Sequence, residues 1–319
     1  MDGQTLLKLY RQMVLMRRFE DEAAQAYTQK KIGGFLHLYN GQEAVASGVI
    51  EATEPNDYII TAYRDHCHYL ARGGTVRAAM AELYGKETGC SKGRGGSMHF
   101  FDAQHRFMGG HGIVGAHVPL GAGMAFASKY RGETDITVCF LGDGATSIGC
   151  FHEGLCLAAL WKLPIVYIIE NNGYAMGTPQ KRQMLVDDAS IRALAYPMAR
   201  ATVEGHDVVE VYAAAKQAIN RARSESLPTL LEFKTYRFRG HSMADPGKYR
   251  EKKEVEEWKE NRDPITLARS RIERNFPHLA SQLSSIEAEV EREVLDGVQF
   301  AEQSPYPNPC DIGEYTYVE

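Results

Sequence analysis

Between residues 136 and 178 the chain alternates apolar runs with polar turns in a way that leaves few folds open. Ile136-Thr-Val-Cys-Phe-Leu141 gives way to Gly142-Asp143-Gly144, and a helix-like stretch then runs to Trp161. Leu163-Pro-Ile-Val-Tyr-Ile-Ile169 follows and ends in Glu170-Asn171-Asn172-Gly173-Tyr174. Both apolar runs are short, rich in β-branched residues and bounded by turn formers, the pattern of parallel strands buried on both faces. Phe151, Leu155, Leu157, Ala158, Leu160 and Trp161 supply a buried face for the helix between them. Strand, helix and strand make a right-handed crossover, and such units bind ligands where their strands end. Gly142-Asp143-Gly144 and Asn171-Asn172 both fall at that edge, so they must lie side by side.

A Gly-x-Gly turn entering a helix lets backbone N–H groups approach an anion, and the helix dipole favours a phosphate there. The Asp143 carboxylate and the Asn172 amide oxygen are hard ligands suited to Mg²⁺ or Ca²⁺. Mg²⁺ commonly takes one or two carboxylates and completes its octahedron with phosphate and water. The pattern implies a diphosphate carried on a metal ion. A dinucleotide fingerprint fits less well, because Gly142-x-Gly144 continues to Ser147 rather than to a further glycine, and Glu170 does not stand alone at its strand end.

Elsewhere the sequence sets bounds. At 319 residues, 44% hydrophobic and 24% charged, it has ample core for an ordinary globular chain. A net charge of −5 argues against general nucleic-acid or anionic-membrane binding. No apolar run approaches a membrane span, and the start Met1-Asp2-Gly3-Gln4 lacks the features of a signal or transit peptide. A cytoplasmic chain is the expectation, with a trimmed organellar form as the alternative. The six cysteines form no Cys-x-x-Cys pair, so free buried thiols are expected, Cys139 in a strand and Cys156 in a helix.

Residues 5–29 have helical spacing, and 57–62 read as a strand ending in Tyr63-Arg64-Asp65-His66. Arg64 there offers a bidentate phosphate clamp and Tyr63 a hydroxyl donor. Residues 75–84 are helical. The loop 85–96, with Lys92, Arg94 and Gly93-x-Gly95-Gly96, reads as a shaped loop, since no strand precedes it. Gly112, Val114 and Gly115 precede a small-residue helix, 120–128, suited to close packing against another helix or a flat ring. Further on, 201–203 and 229–233 read as strands, with Asp207 capping a helix over 208–223. A loop with Arg237, His241, Ser242 and Asp245 follows the last strand, at an edge where active-site loops are found. Residues 252–262 and 263–275 are helical, and a last helix over 283–295 has Gly297 as its stop signal. The proline-rich tail reads as extended, laid on the chain itself or on a partner. One domain, residues 1–319, is expected.

Gly142-Asp143-Gly144 with Asn171-Asn172 about thirty positions on resembles the diphosphate-binding motif of thiamine-diphosphate enzymes. His37-Leu-Tyr-x-Gly-Gln-Glu-Ala44 and Arg237-x-x-Gly-His-Ser-x-x-Asp-Pro246 are similar to segments of the alpha subunits of 2-oxo acid dehydrogenases. The resemblance spans about residues 32–264 and includes at least four motifs in family order. It implies an α/β thiamine-diphosphate-binding fold, a mostly parallel sheet flanked by helices. It places Mg²⁺ on Asp143, Asn172 and the main-chain oxygen of Tyr174. Cofactor contacts would be Tyr63, Arg64, Gly112, Val114, Gly142, Asp143, Gly144, Ala145, Asn172, Arg237 and His241. Catalytic histidines would be His37, His66 and His241. The implied reaction is oxidative decarboxylation of pyruvate, with acetyl transfer to the lipoyl group of a dihydrolipoyl acyltransferase component. The cofactor's thiazolium would serve as electron sink. Branched-chain 2-oxo acid and acetoin dehydrogenase alpha subunits share most of these motifs, and the diphosphate half of a split transketolase is an alternative of another class. Only one α/β unit is visible, so the carboxylate that activates the cofactor would come from a beta subunit in an α₂β₂ assembly.

Overall fold

The computed structural model describes residues 1–314, 316 and 317. Helix α1 (Gly3–Thr28), N-capped by Asp2, and α2 (Glu43–Glu51) open the chain. Strand β1 (Tyr58–Ala62) leads into α3 (His66–Ala71) and α4 (Val76–Leu83). Then come β2 (Phe107–His111), α5 (His117–Arg131), β3 (Thr137–Gly142), α6 (Gly149–Leu160) and β4 (Ile165–Asn171). A short antiparallel ribbon, β5 (Tyr174–Ala175) with β6 (Thr178–Pro179), precedes α7 (Gln180–Gln183). After β7 (Ala199–Glu204), α8 (Val208–Glu225) and β8 (Thr229–Lys234), the helices α9 (Lys252–Arg262), α10 (Pro264–Asn275) and α11 (Leu283–Gln303) follow.

Six strands form one parallel sheet in the order β2-β1-β3-β4-β8-β7. Successive residues feed opposite faces, as the two-residue period of a strand requires. Val138, Phe140, Val166, Ile168, Leu231 and Phe233 pack toward α1, α2, α8 and α11. Cys139, Leu141, Ile165, Tyr167, Ile169 and Leu230 pack toward α5 and α6. Both faces being covered, β3 and β4 read as unbroken apolar runs. The chain leaves β1 for the β2 edge and builds the other side from β3 onward. The strand order therefore reverses between β1 and β3, which opens a crevice at their carboxyl ends.

The small-residue helix packs as its composition suggests. A Cβ on Gly154 of α6 would meet Val118 Cγ1 of α5 at 2.8 Å, and one on Gly121 would meet Cys139 Cβ at 3.2 Å. Four sequence expectations need correction. Helix α11 runs through Gly297, where a Cβ would meet Val76 Cγ1 at 2.6 Å, so this glycine allows close helix packing and ends nothing. Leu160 and Trp161 are exposed at the end of α6, beyond the reach of the sheet. Cys156 is exposed as well, and so is Cys310, although all six thiols are free. Finally, α6 begins at Gly149, after a 3₁₀ turn Asp143–Ser147, so the α6 dipole does not point directly at the glycine turn.

The glycine loop after α4 does cradle an anion, but its own. Backbone N–H groups of Ser91 and Gly93 donate to Glu82 Oε2, and those of Gly95 and Gly96 to Glu82 Oε1, at 2.7–3.1 Å. The tail lies on this loop: Glu87 N donates to Pro305 O, and Arg94 to the carbonyls of Asp311 and Glu314.

Candidate active site

A cavity of about 780 Å³ fills the crevice at the switch point. Its wall is assembled from strand ends: Ala62 at the end of β1 with Tyr63 and Arg64 beyond it, Gly112 and Val114 after β2, Gly142 at the end of β3 with Asp143–Ala145 beyond it, Asn172 and Tyr174 after β4, and Arg237 and His241 after β8. His37 joins them from the extended segment before α2. Every site residue expected from the sequence lines this one cavity, except His66.

Two guanidinium groups dominate its charge. Arg64 is buried and donates to Leu38 O at 2.5 Å and His241 O at 2.9 Å. Arg237 is also buried and donates to Met176 O at 3.0 Å and to Tyr249 Oη at 2.7 Å. Neither makes an ion pair among the described residues. Burial, then the nearby Arg237 charge, pushes the Arg64 pKa down to about 10, so it remains cationic at neutral pH. Buried cations without a paired carboxylate cost several kcal/mol each, and a bound anion offsets that cost.

Opposite them, Asp143 is buried with Oδ2 lacking any hydrogen-bond partner, and burial raises its pKa to about 6. Asn172 donates from Nδ2 to Gln42 Oε1 at 3.1 Å and accepts from Tyr174 N at 3.3 Å. That contact fixes the amide so that Oδ1 keeps a lone pair free. A Cβ on Gly142 would meet nothing within 4 Å, leaving open space beside the turn. Among the described residues no cluster of three His, Cys, Asp or Glu side chains could hold a metal unaided. One carboxylate with amide and carbonyl oxygens suits a Mg²⁺ ion that brings phosphate with it, and the fit with a metal–diphosphate is good.

Three rings form one wall. His37 lies 4.6 Å from Tyr63 and 5.1 Å from His241 between centroids, and Tyr63 lies 5.8 Å from His241. Burial, then Arg64, lowers the His37 pKa to about 2 and that of His241 to about 4. Both imidazoles are neutral around pH 7, and each has an unpartnered Nδ1. The loop carrying His241 is folded onto the cavity: Asp245 accepts from His241 N, Gly247 N and Tyr249 Oη, and Met243 N donates to Leu36 O.

His66 is placed differently from the sequence expectation. It is the first residue of α3 and turns beneath the wall, where Nδ1 meets Glu20 and Nε2 meets Ser97. Its place is behind the cavity. Residues not foreseen are Phe35, Met98 and Glu170, which also line the space. Glu170 Oε1 accepts from Tyr39 Oη and from His68 Nε2. Gln42 stood inside the conspicuous Gly-Gln-Glu run, so a signal existed, whereas Met98 had none. His117 donates from Nε2 to Phe140 O at 2.7 Å, near where β1 and β3 part.

An α/β parallel sheet with a cationic, carboxylate-bearing cavity at its switch point defines a class of anion-binding enzyme domain. The chain belongs to the dehydrogenase E1 component family, whose model matches residues 11–310. It is 48% identical over 312 residues to the pyruvate dehydrogenase E1 component subunit alpha of Rickettsia bellii (strain RML369-C), covering 98% of this chain and 95% of that protein. It is 47% identical over 306 residues to the subunit of the same name from Rhizobium meliloti (strain 1021), covering 96% and 88%. For that of Porphyra purpurea the figure is 44% over 321 residues, covering 98% and 93%. Among the described residues no helix is long and apolar enough to cross a membrane.

Proposed function

We propose that this chain is the alpha subunit of a pyruvate-decarboxylating E1 dehydrogenase, holding thiamine diphosphate through Mg²⁺. The observation that carries the reading is the pair of buried guanidinium groups facing an unpartnered Asp143 oxygen across one cavity. Asp143, Asn172 and the Tyr174 main-chain oxygen would hold the metal, and Arg64 and Arg237 would face the diphosphate oxygens. Thiamine diphosphate supplies the carbanion-stabilising chemistry that decarboxylation of a 2-oxo acid requires. This chain's residues bind and orient it. Gly112 and Val114 would present main chain to its ring, and Tyr63 would offer a hydroxyl. Neutral His37 and His241 donate or accept at the reacting end, where two argininium groups favour developing negative charge.

A partner is part of the reading. Phe35, Val114 and Met176 line the cavity yet are 62%, 41% and 65% exposed, giving it an open apolar rim. Phe126, Tyr130 and Trp161 form a second exposed apolar group, the mark of an interaction surface. A beta subunit in an α₂β₂ assembly closes the cavity and brings the activating carboxylate. A lipoyl-bearing acyltransferase component would be both the acetyl acceptor and, through its disulfide, the oxidant. Dye reduction by the chain mixed with its beta partner, using pyruvate, branched 2-oxo acids and acetoin in parallel, tests this. Pyruvate is expected to be the preferred reductant; appreciable turnover by the chain free of any partner would overturn the reading.

A further inference from the structure

The wall of the site is held from behind by a line of side chains that begins on the N-terminal helix. Glu20 on α1 is fully buried, as is His66 at the start of α3. His66 Nδ1 lies 3.0 Å from Glu20 Oε2, and His66 Nε2 lies 2.9 Å from Ser97 Oγ and 3.1 Å from the Ser97 carbonyl oxygen. Ser97 Oγ in turn accepts from His37 N at 3.3 Å. Glu20 Oε1 also accepts from Tyr39 N at 3.0 Å, so the segment bearing His37 is tied down at two points by this line.

The ring nitrogens of His66 face a carboxylate on one side and a backbone carbonyl on the other. Nδ1 donates to the Glu20 carboxylate, and Nε2 faces both the Ser97 hydroxyl, which can donate or accept, and the Ser97 carbonyl, which can only accept. A proton on Nε2 is the arrangement that meets the carbonyl at 3.1 Å without lone-pair repulsion and lets the hydroxyl accept. Other charged or titratable groups crowd the pair. Cys67 Sγ donates to Glu20 Oε1 at 3.6 Å, Asp65 precedes His66 and accepts from Phe100 N, and Arg17 is engaged by Glu43 and Asp263. Burial opposes a charge on His66, but the Glu20 charge and hydrogen bond outweigh it and raise its pKa. An imidazolium donating from both nitrogens has no lone pair with which to activate Ser97, so the Glu-His-Ser order is not that of a nucleophile.

We infer that Glu20 is a positioning residue of the active site: it holds His66 as a fixed imidazolium that, through Ser97, sets the place of His37. The inference rests on the proposed function for its kinetic readout only. The direct test uses the assembled enzyme with the alpha chain labelled at histidine ¹³Cε1, the His66 signal being assigned by its loss in His66→Asn. The expected result is a protonated His66 signal from pH 6 to 8. In Glu20→Gln, which keeps size and hydrogen bonding, that signal should move to a neutral imidazole. The pyruvate kcat should fall about tenfold, with KM and thiamine diphosphate affinity kept within about twofold, because the loss is one of alignment. Ser97→Ala should give the same loss in kcat with His66 still protonated, and it serves where Glu20→Gln does not assemble. A neutral His66 in the unmodified enzyme, or wild-type kcat in both variants, would overturn the inference. If the unmodified enzyme turned over no pyruvate, the function reading would fail while the His66 signal still decided the charge pair.

Discussion

Arg64→Gln separates anion binding from folding. In the free site the Arg64 guanidinium donates to the carbonyls of Leu38 and His241, and the amide of glutamine can replace one of those donations. Leaving the other buried carbonyl unpaired costs about 1–3 kcal/mol. Against that, the substitution removes a buried cation whose desolvation penalty is itself several kcal/mol. These terms oppose each other, so the unliganded assembly should shift by no more than about 2 kcal/mol in either direction. Ligand binding has no such cancellation. A lost charge-assisted hydrogen bond to phosphate is worth about 1.5–3 kcal/mol, or roughly 10- to 150-fold in affinity. At a ligand concentration of about 100 times the wild-type Kd, binding stabilises the native state by about 2.7 kcal/mol, and a hundredfold weaker variant retains about 0.4 kcal/mol. Thermal melting of both assembled enzymes with and without Mg²⁺ and inorganic pyrophosphate reads this difference. If the variant melted far lower without ligand and kept the full ligand-induced shift, Arg64 would be a structural clamp and the anion-site reasoning would fail.

Ser242 lines the cavity beside His241, so Ser242→Glu should exclude thiamine diphosphate by like-charge repulsion while assembly persists; a fully active variant would refute the electrostatics. Gly297→Ala pits helix propensity, favouring alanine by about 1 kcal/mol, against a 2.6 Å approach to Val76, which costs about 1–3 kcal/mol. Thermal unfolding should show net destabilisation, and a more stable variant would mean that α4 and α11 can move apart. For His37 and His241, protonation is opposed in the folded site, so their contribution to stability is present above about pH 6.5 and is lost as pH falls, toward about 4 for His241 and toward about 2 for His37. Mg²⁺-free pyrophosphate should raise both pKa values by offsetting Arg64 and Arg237, read from histidine ¹³Cε1 shifts of the assembled enzyme; a fall would contradict the charge balance.

Much of the site was legible because parallel strands announce themselves and deliver the residue after each strand to one edge. Continuous apolar runs located β3 and β4, and with them Asp143 and Asn172. Strand β2 was not recognised, because Phe107-Met-Gly-Gly-His111 at the sheet edge has two glycines and little β-branching. His66 misled for a geometric reason. Sequence places it two residues after Arg64, but α3 begins at His66 and its first turn carries the ring under the wall toward Glu20, a residue far away in the chain. Gly297 illustrates a different limit: a helix stop and a packing notch carry the same residue, and only the neighbouring Val76 on α4 tells them apart.

The central claim is that a diphosphate is anchored through a metal on Asp143. Its most direct test is calorimetric titration of thiamine diphosphate, in Mg²⁺, into the assembled enzyme carrying Asp143→Ala alongside the unmodified assembly. Heat of binding is expected for the unmodified enzyme and none for the variant, with the unliganded assemblies unfolding at similar temperatures, because the backbone hydrogen bonds lost with the carboxylate are offset by removal of a buried acid whose Oδ2 has no partner. Unchanged thiamine diphosphate affinity in the variant would contradict the claim.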